Sequence, residues 1–382
     1  MVIAIEVQRL FRKKKHGMEI VALEIIKYLQ QLDIQNKYII FSKDDVDNEC
    51  IKPTLNFKIS TSIRKVFYPL WEQFYLAKAI KKIRPALLHC TSNTAPLFCK
   101  IPIIITIHDV IYMESINFSG SSYQNFGNLY RRFIVPRVAK KAAIIITVSS
   151  FEKTIIANKL NIPEEKIRVI HNGINDQFKV ITDKNILNKF SGQYNLPKKF
   201  LLHLGNTAPK KNTIGVLSAY KIYIENVINP LPLVLTDCTI NYIFDLIKKI
   251  NAPEILKHIQ ILPYVPYNTM HCLYNLATIF LYPSHRESFG LPVIEAMACG
   301  LPVITSNTSA LPEIAGNAAC LINSEKPVEI CEKILMLLSD NEKYQDLKEK
   351  GFKNAARFSW KSSAEKTLQV YNELACKKTK NH

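Results

Sequence analysis

The sequence predicts an α/β protein of two doubly wound, parallel-sheet domains. Three observations carry this: the length, an alternation of short apolar runs with amphipathic stretches, and a restart of that alternation near residue 200. At 382 residues the chain exceeds what one hydrophobic core usually serves. Short runs at 38–41, 87–90, 103–107, 144–148 and 169–171, most of them rich in β-branched residues, have strand length, and their largely apolar character suits a sheet covered on both faces. A second series follows at 200–204, 233–236, 259–262, 279–282 and 302–305. The polar stretch between the two series divides the chain into an N-terminal Rossmann-like domain (1–178), a linker (179–199), a C-terminal Rossmann-like domain (200–358) and a helix within 359–382, placed to pack back on the first domain.

Helices are expected between the strands. Residues 18–32 carry Ile20, Val21, Leu23, Ile26 and Leu29 near a 3.6-residue period, and 292–299 begins at a proline and stops at Gly300. The composition is that of a folded chain, 48% hydrophobic and 21% charged. A net charge of +18, most of it in residues 1–180, asks for an acidic partner: nucleic acid, anionic lipid or a phosphorylated substrate. Nine scattered cysteines without a Cys-x-x-Cys pair argue for a reducing compartment and against a zinc site. The opening Met1-Val2-Ile3-Ala4-Ile5-Glu6 meets a charge too early for a cleaved leader, and no apolar run nears the roughly 20 residues of a spanning helix.

The segment 279–305 reads as strand, loop, short helix and strand. Ligands of such sheets bind beyond the carboxyl ends of the strands, where its loop must lie. Ser288, Phe289, Gly290 and Leu291 open the helix, so free backbone N–H groups and the positive dipole end face an anion there. Glu287 sits in the loop and Glu295 one turn into the helix, spaced for one ligand to span both. A plain crossover with solvated glutamates is the alternative, but two acids framing Phe289-Gly290-Leu291-Pro292 are hard to explain by packing.

A second element, 204–212, follows a strand and holds Asn206, Lys210 and Lys211. Two lysines at a strand end can neutralise a diphosphate leaving group, which would make a metal ion unnecessary. An exposed basic turn is the other reading.

The stretch from Glu287 to Glu295 resembles the Glu-x7-Glu signature of retaining glycosyltransferases of family 4, and the likeness extends over most of the chain. The resemblance implies the GT-B fold, in which two Rossmann-like domains face a cleft, acceptor on the N-terminal side and nucleotide sugar on the C-terminal side. It assigns Glu287 to the transferred sugar, Glu295 to the ribose, Lys211 and the preceding Lys210 to the diphosphate, and Tyr264 and Val265 to the nucleotide base. Ser288 stands where many members have glycine, and Asn206 where some have arginine.

In the first half, 103–109 runs a buried strand into His108-Asp109. The family carries a histidine here that contacts the donor sugar, so His108 is expected to position and polarise that sugar from across the cleft. Asp109 is expected to orient it or cap the turn. Gly17 marks where many members have a longer glycine-rich loop meeting acceptor and phosphate. Ser149, Asn172 and Gly173 resemble landmarks that close the first domain.

Aromatic and basic residues interleave in 68–84 and 131–141, which suits either helices packing Trp71, Leu76 and Ile80 inward or contact with an anionic bilayer. The expected enzyme is a retaining, metal-independent hexosyltransferase of cell-surface polysaccharide synthesis, cytoplasmic or peripheral on the inner membrane face. Its donor would be a GDP- or UDP-sugar, mannose favoured, its acceptor a glycan or lipid-linked glycan, with no further cofactor. Rivals are a nucleotide-sugar epimerase or hydrolase of the same fold and, from another class, a basic nucleic-acid-binding protein. No nucleic-acid motif supports the last, and no nucleic acid is expected as a partner.

Overall fold

The structure, a computed structural model, describes residues 1–13, 15, 17–62, 67–114 and 122–379. The chain forms two compact units, residues 1–173 with 360–382 and residues 174–359.

The first unit holds a seven-stranded sheet: β1 (Val2–Glu6), β2 (Lys37–Lys43), β3 (Phe57–Ser62), β4 (Leu87–Cys90), β5 (Ile103–Thr106), β6 (Ile144–Thr147) and β7 (Ile167–Val169), in the order β3-β2-β1-β4-β5-β6-β7. Every neighbouring pair is parallel. Ile144, Ile145 and Ile146 are all buried because helices cover both faces, the reason this strand reads as an unbroken apolar run. One face packs Leu88 and Ile105 against Trp71 and Val135. The other packs Ile3 and Ile5 against Ile26 of the helix Gly17–Leu32 and Tyr371 of the helix Trp360–Thr379. The Tyr371 hydroxyl meets His89 Nδ1 at 2.7 Å, and Glu373 pairs with Arg168 at 2.7 Å.

The second unit repeats the plan with β8 (Leu201–Leu204), β9 (Leu233–Thr236), β10 (Ile259–Ile261), β11 (Ile279–Tyr282), β12 (Val303–Ser306) and β13 (Cys320–Ile322), ordered β10-β9-β8-β11-β12-β13 and parallel throughout. Residues 179–199, read from sequence as a linker, contain the helix Lys184–Tyr194, whose Phe190 is buried in this unit's core.

Four strands depart from the sequence reading, the first being β1 (Val2–Glu6), which the expected series did not include. The run expected at 169–171 pairs two residues earlier, as β7. The edge strands β3 and β13 give no apolar run, since Phe57-Lys58-Ile59-Ser60-Thr61-Ser62 alternates and β13 is only three residues long. Each sheet reverses its strand order between two neighbours, β1 and β4 in the first and β8 and β11 in the second. The crevice beyond those strand ends is where such folds bind ligands.

Candidate active site

The loops leaving β8 and β11 meet at the second sheet's switch point. After Tyr282 the chain runs through 283–290 into the helix Leu291–Ala298, turning at Gly290, whose φ of +102° is one that residues with a side chain rarely adopt. A Cβ there would also stand 2.8 Å from Leu311 Cδ2, so the position needs glycine twice over.

That turn delivers Glu287, 8% exposed, with its backbone N–H on Ser309 Oγ at 3.1 Å. Lys211 Nζ donates to Glu287 Oε1 at 2.7 Å and to the Tyr282 hydroxyl at 2.5 Å, while that hydroxyl donates to Glu287 Oε1 at 3.0 Å. Burial alone would raise the Glu287 carboxyl. The ammonium groups of Lys211 and Lys210, with the hydrogen bonds from Lys211 and Tyr282, outweigh it and hold the pKa below its ordinary value. The result is a closed triangle of cation, phenol and ionised carboxylate at a ligand crevice.

Asn212 holds the loops in register. It adopts φ +56° and caps the helix Thr213–Glu225 through Oδ1 on Gly215 N–H at 3.1 Å. Its Nδ2 donates to Pro283 O at 3.1 Å and Ser324 O at 2.7 Å, and His285 N–H reaches Lys210 O at 2.8 Å. Asn206 turns its side-chain oxygen back onto Ala208 N–H at 2.8 Å, which shapes the lysine turn.

Glu295 is 4% exposed and accepts hydrogen bonds from the hydroxyls of Tyr267 at 2.8 Å and Tyr274 at 3.4 Å. Burial outweighs both and pushes its carboxyl up to about 7. Of the residues opening the helix, Ser288 and Leu291 are half-buried and Phe289 is buried edge-on against Phe358, 5.6 Å between centroids. Tyr264 is 54% exposed, whereas the side chain of Val265 lies in the core at 2% and has only its backbone to offer a ligand.

In the first unit His108 is 6% exposed, and its Nε2–H donates to Thr91 O at 2.9 Å. Burial lowers its pKa, so the ring is neutral and its Nδ1 is an acceptor. The left-handed Asn93 fixes this strand end by accepting from His108 N–H at 2.7 Å. Asp109 caps the turn, its Oδ1 accepting from Ile111 N–H at 3.2 Å. Gly17 is exposed at the start of its helix, and among the described residues nothing lies within 4 Å of where a Cβ would be.

Sequence reasoning passed over several residues. Tyr282, Tyr267 and Tyr274 read as strand or helix tyrosines, because only the fold brings their hydroxyls to the two glutamates. The expectation of metal independence overlooked one Asp-x-Asp spacing, Asp45-Val46-Asp47. It follows β2 in the first unit, where Asp47 is ion-paired with Lys15.

Two family models tile the chain: "Glycosyltransferase Family 4" over residues 16–178 and "Glycosyl transferases group 1" over 185–354. Among characterised relatives, the serotype-specific mannosyltransferase WbdA of Escherichia coli is 26% identical over 64% of this chain and 31% of its own length. The O-antigen chain mannosyltransferase B of the same organism is 28% identical over 61% of both chains. The matched region thus spans less than two thirds of either relative. Among solved structures, a glycosyltransferase from Rickettsia africae superimposes with a TM-score of 0.74 at 20% identity, covering 98% of each chain. Anabaena HepE with UDP and glucose gives 0.74 at 17% identity, over 98% of this chain and 100% of that one. These likenesses give the GT-B fold, and together with the two models that tile it they show that the chain belongs to the group 1, family 4 glycosyltransferases.

Proposed function

We propose that the protein transfers a hexose, mannose foremost, from a nucleotide diphosphate sugar to a hydroxyl of a glycan or lipid-linked acceptor, with retention at the anomeric carbon and no metal ion. The observation that carries this reading is the Lys211–Tyr282–Glu287 triangle at the switch point of the second sheet.

The sugar's bond to the diphosphate breaks and the leaving group takes the electron pair. Lys210 and Lys211, with the N–H groups of Ser288 to Leu291 at the helix start, are the donors that stabilise the charge developing on the phosphate. Glu287, kept ionised, faces the positive charge developing on the sugar, which His108 Nδ1 helps to hold by accepting from a hydroxyl. The acceptor oxygen bonds to the anomeric carbon on the face that the phosphate leaves, and its proton passes to a phosphate oxygen. Glu295 takes the ribose hydroxyls, and the exposed Tyr264 ring and Val265 backbone flank the base. Asn206 and Asp109 shape the lysine and histidine turns, and Gly17 borders the acceptor side. Relatives named as O-antigen mannosyltransferases support mannose, for which we place GDP-mannose first, and a fold neighbour holding UDP and glucose supports UDP-hexoses as the second choice.

A thermal-shift screen of GDP, UDP, ADP and dTDP, then of their sugars, identifies the donor, since a ligand of the native state raises its stability by mass action. Transfer with that donor must then collapse in Glu287→Ala and Lys211→Ala, and undiminished rates sink the proposal. Release of free or isomerised sugar without any acceptor supports the hydrolase or epimerase reading instead.

We further propose contact with the anionic inner face of the cytoplasmic membrane. The helical run 68–83 buries Trp71, Leu76 and Ile80, as the packing reading expects, but leaves Leu70, Phe74 and Tyr75 exposed at 50, 66 and 57% beside Lys81 and Lys82. The helix Ser122–Lys141 likewise exposes Leu129 and Phe133 near Arg137 and Lys141. Among the described residues no helix is long and apolar enough to cross a membrane. Flotation with phosphatidylglycerol vesicles but not phosphatidylcholine vesicles, weakened in Phe74→Ala/Phe133→Ala, is the expected result, and equal behaviour with both lipids removes the proposal.

A further inference from the structure

In the second unit the parts of the site assigned to the base and to the ribose are joined by one hydrogen bond. The segment 263–266, which follows β10, carries Tyr264 and Val265, while Glu295 stands in the helix Leu291–Ala298. Tyr267 comes next after that segment, and its hydroxyl donates to Glu295 Oε1 at 2.8 Å. Tyr274, from the helix Met270–Leu276, donates to Glu295 Oε2 at 3.4 Å.

A glutamate carboxylate turns broadly about its last torsion, so a free one presents its lone pairs in many directions. Donors on both oxygens remove that freedom. Each carboxylate oxygen offers about two lone pairs. With one tyrosine on each, one acceptor position per oxygen is left, a match for two neighbouring hydroxyls. The tyrosines are themselves fixed. Tyr274 is 1% exposed, its ring edge-on against Phe280 at 5.5 Å. Tyr267 is half-buried, yet Phe178 meets its ring edge-on at 5.3 Å and Gln177 Nε2 donates to its carbonyl at 3.1 Å. Phe178 also lies 6.0 Å from the Tyr274 ring, so one side chain braces both. Burial raises the Glu295 carboxyl, and the two tyrosine hydroxyls oppose that rise.

We propose that Tyr267 is the positioning residue of the nucleoside subsite: its hydroxyl sets the Glu295 carboxylate for the two ribose hydroxyls and holds the base-flanking segment 263–266 in register with them. The inference rests on the transferase reading, in which Glu295 takes the ribose, and deepens it. Tyr267 carries this role rather than Tyr274 because its bond is the shorter one and because only Pro266 separates it from Val265. It acts through Glu295 and not by touching the nucleotide.

The test is calorimetry on the full chain with GDP and UDP and with their 2′,3′-dideoxy forms. Wild type should bind at least one ribonucleotide about tenfold more tightly than its dideoxy form, the size of a hydrogen bond to a carboxylate. Tyr267→Phe, which keeps the ring on Phe178, should weaken that ribonucleotide about tenfold and leave the dideoxy form within about twofold. Added to Glu295→Ala, the same change should weaken neither nucleotide further, since residues acting as one unit are not additive. The fold survives loss of a half-buried hydroxyl, so the Tyr267→Phe series decides alone if the alanine background does not fold. Equal losses for both forms in Tyr267→Phe, undiminished ribonucleotide binding, or a further loss in the Glu295→Ala background overturns the inference and leaves the ribose assignment standing. A wild-type chain that binds both forms equally defeats the ribose assignment and the inference with it, and one that binds neither nucleotide defeats the donor reading as well.

Discussion

Lys211 Nζ lies 2.7 Å from Glu287 Oε1, an ion pair whose side chains are only 16% and 11% exposed. In the proposed mechanism the lysine assigned to the diphosphate is thus ion-paired with the carboxylate assigned to the sugar.

Removing one partner should cost both stability and activity. Lys211→Ala leaves a buried carboxylate unpaired and is expected to destabilise by about 3 kcal/mol. Transfer should fall by roughly 10²-fold or more, as when a transition-state donor is removed. Glu287→Gln keeps the shape and removes the charge, so denaturant unfolding should show a smaller loss while transfer is still crippled.

Tyr282→Phe deletes the hydroxyl that bridges the pair and little else, because the ring is fully buried in the core. A hydrogen bond to a charged group is worth about 2 kcal/mol, so a loss of that order in urea unfolding is expected. The pH profile of kcat/KM should also shift its acidic limb upward, since Glu287 loses a donor that favours its ionised form. An unchanged acidic limb would rule out the positioning role.

Gly290→Ala meets both a positive φ and the Leu311 methyl at 2.8 Å. Backbone strain of this kind costs about 1–3 kcal/mol. Leu311→Ala added to it should relieve the steric part and leave the conformational part, which thermal melts of the single and double variants can separate.

The contribution of two buried carboxyls to stability should fall as pH rises from about 4.5 to 8, and above about 6.5 the buried neutral His89 and His203 no longer act in the opposite direction. Glu6 has a folded pKa of about 8 against an ordinary 4.5, so its protonated form is the one the fold favours. That contribution is complete below the ordinary value and is lost as pH climbs through the folded one. Glu295, raised to about 7, acts in the same direction. Glu6→Gln should flatten this part of the profile and melt higher than wild type at pH 9, and a parallel profile in the two proteins contradicts the assignment.

The legible features were those with local cause. Apolar runs gave most of the inner strands, though not β1, because both faces are covered, and the spacing of Glu287 and Glu295 around Gly290 placed the loop and short helix where they stand. The illegible ones arise from tertiary meetings. Glu6 reads as an early charge that spoils a leader, and nothing local says that it ends a buried strand beside Glu72. Tyr282 looks like the last residue of a strand, and only the pairing of β8 with β11 brings Lys211 to its hydroxyl.

Residues 174–359 begin and end side by side, as Ile174 and Ser359 form a parallel bridge, while the flanking Ser363 hydroxyl holds His171 O at 2.6 Å within the other unit. The second unit is therefore a cassette set into an otherwise continuous chain, with its two ends adjacent. A lineage, or an engineer, could exchange it by two neighbouring cuts, leaving the amino-terminal sheet and the returning helix with Tyr371 threaded as they are.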